Sequence, residues 1–330
     1  MGNVPNHIRK ALDETYNDIR EKSSMQKRKN MVQRSIGAAV VLIVIGVMAT
    51  NENVQASFTQ LFFSNDRGAQ LAIDEGFVND DRATISDESI RITKEQHFYD
   101  GRKLGISLSI LFDEWTQLEN IVEVTLDYRL VNGDGTYLLE MIPDTKPLKG
   151  DGLHSFQVGS EQSKLNTSDG RVEMELLFSA IGEEISSIHD SIFIFKIETI
   201  KLWHEDGTFS SVDGEWNIPL SNMDEEYTGD PVPYKASDED HSIKIIKATA
   251  YPTSLFIQFE MEGDHSAEFL QITILTEDDE RYEIGGYRVE VTDEETTVIS
   301  GNFPLSLFED LDDLTLQIAG IGEVMLKKQR

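Results

Sequence analysis

The chain contains no cysteine among its 330 residues. That excludes a disulfide framework, a thiolate metal centre and a thiol nucleophile. It is also poor in positive charge, with 29 Lys and Arg against 60 Asp and Glu and a net charge of −31. A nucleic-acid binder needs a basic footprint, so that class is excluded. Metal spacing is missing too. The seven histidines form no His-x3-His pair, and His97, His154, His189, His204, His241 and His265 fall near expected strand ends or turns. Neither a Gly-x-Ser-x-Gly elbow nor a phosphate-binding Gly-x4-Gly-Lys-Ser/Thr loop occurs. Adjacent carboxylates at Asp113-Glu114, Asp278-Asp279-Glu280 and Asp312-Asp313 are what 60 acids produce by chance. Asn132-Gly133-Asp134-Gly135 reads as a hairpin turn and Asp238-Glu239-Asp240 as part of a linker, because no twelve-residue loop ends in the Glu that a Ca²⁺ hand requires. The expectation is therefore no catalytic residue, no cofactor, no metal and no enzyme.

Long apolar runs are scarce as well. One, Ile36–Thr50, is free of charge. Its fifteen residues make about 22 Å of helix, and a start at Met31 gives the length of about 20 that a bilayer core asks for. Arg34 can then snorkel to the headgroups. Residues 1–34 carry eight Lys and Arg against four acids, a net of +4 that leaves −35 on residues 51–330. Positive flanks stay in the cytoplasm. The expectation is one transmembrane helix at 35–50, possibly from 31, in the cell membrane as a single pass, with the N-terminus cytoplasmic and the C-terminal part extracellular. A second reading makes the run a signal peptide, cleaved at Val54-Gln55-Ala56 with Ser57 following.

The 1–34 arm has a helical stripe over residues 5–22, with Ile8, Leu12, Tyr16 and Ile19 on one side and Pro5 at the start. A helix this short is marginal alone. The stripe is either the face that meets a partner or the membrane surface, or a chance periodicity in a tail. Residues 51–86 read as a juxtamembrane helical segment. Within it, Ser57–Ser64 packs three Phe and a Leu, as an interfacial anchor or as a first core segment.

From Ser86 the period becomes two. Leu104, Ile106, Leu108, Ile110 and Phe112 alternate with other residues. So do Val122, Val124, Leu126, Tyr128 and Leu130, and so do Val172, Met174, Leu176 and Phe178. Turn pairs at Asp100-Gly101, Asn132–Gly135, Asp169-Gly170 and Asp206-Gly207 separate the runs. This is the pattern of antiparallel strands with one buried face. The expected fold is mainly β: a short N-terminal amphipathic helix, the transmembrane helix, and two tandem external antiparallel β-sandwich (immunoglobulin-like) domains at 87–220 and 241–330. An acidic, proline-containing linker, 221–240, separates the two. The two β regions echo each other. Ser89–Lys94, Tyr99 and Leu104–Ile106 match Ser242–Lys247, Tyr251 and Leu255–Ile257, and Asn217–Leu220 matches Asn302–Leu305. The alternative is two unrelated sandwiches sharing a composition.

Val4-Pro5 with Ile8, the run Ile36–Thr50, Ala56-Ser57-Phe58, Asp74-Glu75-Gly76-Phe77, and Ile90–Ile92 leading to Phe98-Tyr99-Asp100-Gly101 and Leu104-Gly105-Ile106 resemble a known family. It is the membrane-anchored domain-of-unknown-function family of Firmicutes that accompanies extracytoplasmic-function sigma factors and is called anti-sigma-factor-like. The match covers roughly residues 1–135, and the part from about 236 resembles a second uncharacterised domain appended to it. The resemblance implies a cytoplasmic arm holding a sigma factor, here through Ile8, Leu12, Tyr16 and Ile19, and an outer part sensing an unknown extracellular ligand. The other function the sequence allows is a non-enzymatic, surface-anchored ligand- or wall-binding protein.

Overall fold

The computed structural model describes Phe63 and residues 66–113, 118, 120–152, 154–166, 170–180, 193–221, 229–237, 242–265, 270–292 and 296–329. All belong to one compact unit, Thr59–Arg330. The chain enters through α1 (Arg67–Asp74), capped by the Asp66 side chain accepting from the Ala69 N–H. Nine strands follow: β1 (Ala83–Asp87), β2 (Ile90–Tyr99), β3 (Lys103–Phe112), β4 (Ile121–Val131), β5 (Tyr137–Met141), β6 (Phe156–Asn166), β7 (Arg171–Ala180), β8 (Phe193–His204) and β9 (Phe209–Leu220). Nine more complete the chain: β10 (Val232–Ala236), β11 (Ile243–Ala250), β12 (Leu255–Glu262), β13 (Ile272–Thr276), β14 (Arg281–Glu283), β15 (Tyr287–Val291), β16 (Thr296–Phe303), β17 (Asp313–Ile318) and β18 (Gly322–Lys328).

The first nine strands form two antiparallel sheets, ordered β1-β2-β3-β7-β6 and β5-β4-β8-β9. The second nine form one continuous sheet, β14-β13-β17-β18-β10-β11-β12-β16-β15, whose strands on either side of β10 repeat that order. Apart from the added outer strand β1 or β10, this is the A-B-E-D against C′-C-F-G order of immunoglobulin-type sandwiches. The halves therefore share a topology strand for strand. The echo at the A–B hairpin is real: β2–β3 and β11–β12 pair alike, and each carries one register shift. The second echo is not. Asn217–Leu220 lies in β9 and Asn302–Phe303 in β16, and the counterpart of β9 is β18. A short Asn-x-Pro-Leu string suits the end of any strand and does not mark position.

The alternation sets the cores. Leu104, Ile106, Leu108, Ile110, Val124, Leu126, Tyr128, Leu130, Val172, Met174, Leu176 and Phe178 are all buried in one cluster between the first two sheets. Each apolar side chain buried this way contributes about 1.5–3 kcal/mol. Val122 departs from its row and is exposed, because the β4–β8 register shifts between Ile121 and Glu123 and the extra residue turns outward.

The stretch 221–240 contains β10. Its Val232 and Pro233 pair with β11, and its Tyr234–Ala236 pair with β18, so this one strand joins the two faces of the second sandwich into a single sheet. Proline is tolerated there because the strand changes partners at that point.

The helical expectations are corrected. Among the described residues α1 is the α-helix, eight residues long, and no helix is long and apolar enough to cross a membrane. Eight residues reach about 12 Å against a bilayer core of about 30 Å. The apolar side of α1 is committed elsewhere: Ala69, Ala72 and Ile73 pack with Phe63, Phe77, Phe98 and Leu177. Phe63, from the stretch read as anchor or core, is core, edge-on to Phe98 at 5.3 Å. The transmembrane helix expected at 35–50, or from 31, and the amphipathic helix of the arm fall outside the described residues.

Candidate functional site

The expected partner-binding residues Ile8, Leu12, Tyr16 and Ile19, and the expected cleavage residues Val54, Ala56 and Ser57, lie outside the described residues. Within them, polar chemistry gathers in three places.

The first is the joint between the sandwiches. Asp100, in the A–B turn of the first, is buried, and its Oδ1 accepts the N–H groups of Arg102 at 2.8 Å and Lys103 at 2.7 Å. Its Oδ2 accepts the N–H of Thr253 at 2.9 Å and the Thr253 hydroxyl at 2.5 Å, from the A–B turn of the second. Arg102 is buried with its guanidinium 3.8 Å over the Phe256 ring, and its Nε donates to Asn302 at 3.3 Å. Helix α1 bolts the two together. Asp66 takes Lys103 at 2.5 Å, and Arg67 takes Glu280 at 2.9 Å and Glu309 at 3.4 Å. Gly68 has no room for a side chain, since a Cβ there would lie 2.2 Å from the Thr253 carbonyl oxygen.

The second fastens the end of β9. Lys94, fully buried, donates to Asp81 at 2.6 Å and to the Pro219 carbonyl at 3.1 Å. His97 meets the Ser221 carbonyl through Nε2 at 2.8 Å, which makes Nε2 the protonated nitrogen. Burial is the main force pushing the His97 pKa down, with the Lys94 charge adding to it.

The third is the outer face of the β5-β4-β8-β9 sheet, where inward-facing Leu126 and Ile200 leave their neighbours pointing out. Cross-strand rows run Glu123–Trp203–Phe209, Thr125–Lys201–Ser211 and Asp127–Thr199–Asp213. Trp203 donates to the Thr125 hydroxyl at 2.9 Å, and its ring lies 5.0 Å from that of Phe209. Lys201 is paired with Asp127. Further along, buried Arg129 meets Glu140, Glu198 at 2.8 Å and the Pro147 carbonyl at 3.1 Å. Glu140 also accepts the N–H groups of Lys149 at 3.0 Å and Gly150 at 2.8 Å. The 142–152 loop is thereby held down over that end of the face. Burial pushes the Glu198 carboxyl up, but hydrogen bonds and charge from Arg129 and Lys149 outweigh it and hold the pKa at about 2. The other end of the face, at Trp203, Phe209 and Val122, is open: Phe209 is 53% and Val122 56% exposed.

Sequence reasoning missed this face. The one signal for it is parity: Trp203 and Phe209 flank the Asp206-Gly207 turn on the side of the strand that otherwise carries Lys201, Ser211 and Asp213. Among the described residues no group of three His, Cys, Asp or Glu could hold a metal ion. His204 approaches the Ser210 hydroxyl at 3.1 Å on an exposed turn, but Asp206 is turned to Thr208 instead of the imidazole. Among the described residues no carboxylate is hydrogen-bonded to that ring, as base catalysis would ask.

At the rim of this sheet, Glu161 of β6 is partly buried and takes the Leu126 N–H. Its Oε1 and the Tyr128 hydroxyl have no hydrogen-bond partner among the described residues. Burial chiefly, then the nearby Glu123 and Asp127, push the Glu161 pKa up. A carboxyl with a raised folded-state pKa favours folding when protonated, and that contribution is lost as pH rises through the folded value. Glu161→Gln keeps the acceptor and removes the charge. Its advantage over wild type in urea unfolding should be near zero at pH 4 and grow steadily towards pH 7. A flat difference across that range would mean Glu161 is ionised without penalty.

No family model matches the chain, and no curated protein does. Among solved structures it is similar to a conserved domain protein from Bacillus anthracis, at 14% identity and a TM-score of 0.46, over 77% of this chain and 90% of that one. Neither the fold nor these comparisons lend support to the membrane and sigma-factor expectations.

Proposed function

We propose that the chain is a non-enzymatic recognition module, in which two immunoglobulin-type sandwiches joined end to end offer the open part of the β5-β4-β8-β9 face to a protein partner. One observation carries this reading. The buried ionic groups Asp100, Arg102, Arg129, Glu140 and Lys94 are each spent on fastening one chain segment to another. Large apolar side chains are left in solvent at Met141, Leu148, Ile246, Val291 and Met325 as well, but Val122 and Phe209 are the two that flank an aromatic side chain, Trp203, on adjacent strands. Catalysis needs the opposite arrangement, in which polar groups converge on free space.

The test places a photo-crosslinking residue at Ser211, two residues from Phe209 on the same side of β9, or at Lys235, on β10, in the full-length chain in its native host. The reading predicts a discrete protein adduct from position 211, suppressed by excess unlabelled chain, and none from 235. Equal adducts at both positions, or none at 211, would overturn it.

A further inference from the structure

The shared topology supplies an internal control for the open face. In the first sandwich Ile121, Glu123 and Val124 pair with His204, Trp203 and Leu202. In the second, Ile272, Thr273 and Ile274 pair with Ile318, Gln317 and Leu316. The adjoining turns match too, since Glu205 N–H donates to the Asn120 carbonyl at 3.2 Å and Ala319 N–H to the Gln271 carbonyl at 3.1 Å. Trp203 therefore stands where the second sandwich has Gln317, and Phe209, paired with Trp203, where it has Glu323, paired with Gln317. Val122 is the extra residue of a bulge that the second sandwich lacks. The same fold is built with polar residues at this spot, so neither packing nor strand pairing demands the aromatic pair and the exposed valine.

Charge defines what fits. Glu123, Glu205 and Asp206, all exposed, border the patch, and hydrogen bonds from Thr208 hold the Asp206 pKa below the usual carboxylate range. The nearby cation, Lys201, is already paired with Asp127. With −35 on residues 51–330, nucleic acid and anionic lipid are repelled. The geometry points to a basic protein segment as the occupant, with an arginine side chain lying on the tilted Trp203–Phe209 pair and its guanidinium meeting the acidic border. Cations are favoured over the faces of aromatic rings, and guanidinium–carboxylate pairs are strong and directional. This inference rests on the recognition reading and names the chemistry of the partner.

The experiment measures fluorescence anisotropy of a labelled twelve-residue peptide alternating arginine and serine, added to the full-length chain at physiological salt. A peptide with citrulline, the neutral isostere, replaces it in a second series. The arginine peptide should bind at least tenfold more tightly than the citrulline peptide. Val122→Ser with Phe209→Ser should weaken it tenfold or more, with circular dichroism unchanged, and Glu123→Gln with Glu205→Gln should weaken it likewise. Asp230→Asn with Asp278→Asn removes two acids from the second sandwich and should change affinity less than twofold. If the apolar variant binds like wild type, or the distant acid variant weakens binding as much, attraction is unspecific and the inference fails. If the peptide does not bind while the position-211 adduct persists, the arginine chemistry fails and the recognition reading stands. Loss of both would remove both.

Discussion

Asp100→Ala is expected to unfasten the two sandwiches. The carboxylate accepts four hydrogen bonds at once, two from its own turn and two from Thr253 of the other sandwich. Alanine leaves those donors buried without their acceptor, at about 1–3 kcal/mol for each group that water cannot reach. A total loss of about 3–5 kcal/mol follows, since some donors regain water as the joint opens. The cores of both sandwiches are untouched, so the effect should be local to the joint. Because the chain has no cysteine, spin labels at Ser211→Cys and Glu290→Cys would report a single distance. Wild type should give a narrow distribution and Asp100→Ala a broad one, with an unfolding curve that separates into two steps. Asp100→Asn keeps one acceptor oxygen and should fall between. A narrow distribution in the alanine variant would show that α1 and the Arg102–Phe256 stack hold the joint without Asp100.

Glu140→Leu should cost a similar amount by a different route. Arg129 is 1% exposed, and Glu140 is the carboxylate that is buried with it. Removing one partner of a buried pair leaves an uncompensated charge and costs about 3–5 kcal/mol. Glu198 still reaches Arg129, which places the expected value at the lower end. The same substitution strips the Lys149 and Gly150 N–H groups of their acceptor, so the 142–152 loop should lose protection in hydrogen exchange while β7 keeps its own. Replacing Arg129 and Glu140 together by Leu should recover most of the loss. If the double variant is no better than the single, the pair is needed for shape and not for charge balance.

The sequence by itself determined a great deal of the β architecture. Strands with one buried face must alternate, so the rows from Leu104, Val124 and Val172 could be read directly and are buried as read. Turns that need positive φ advertise themselves through glycine, and Gly101, Gly135, Gly170 and Gly207 all adopt it. Partial repetition of one hairpin pointed to two halves of like strand order, and the strand order is the same in both. Three things were decided only in three dimensions. A bulge moves one residue out of its row without altering the local composition, which is why Val122 read as core and is exposed. Val232–Ala236 sits among acids and prolines, and only the two sheet edges beside it make it a strand. Asp100 and Thr253 are 153 residues apart, and each looks like an ordinary turn residue. Periodicity reports which side of a strand is buried, because that depends on neighbours along the chain; which polar groups meet depends on how separate sheets and turns are brought together, and no local pattern records it.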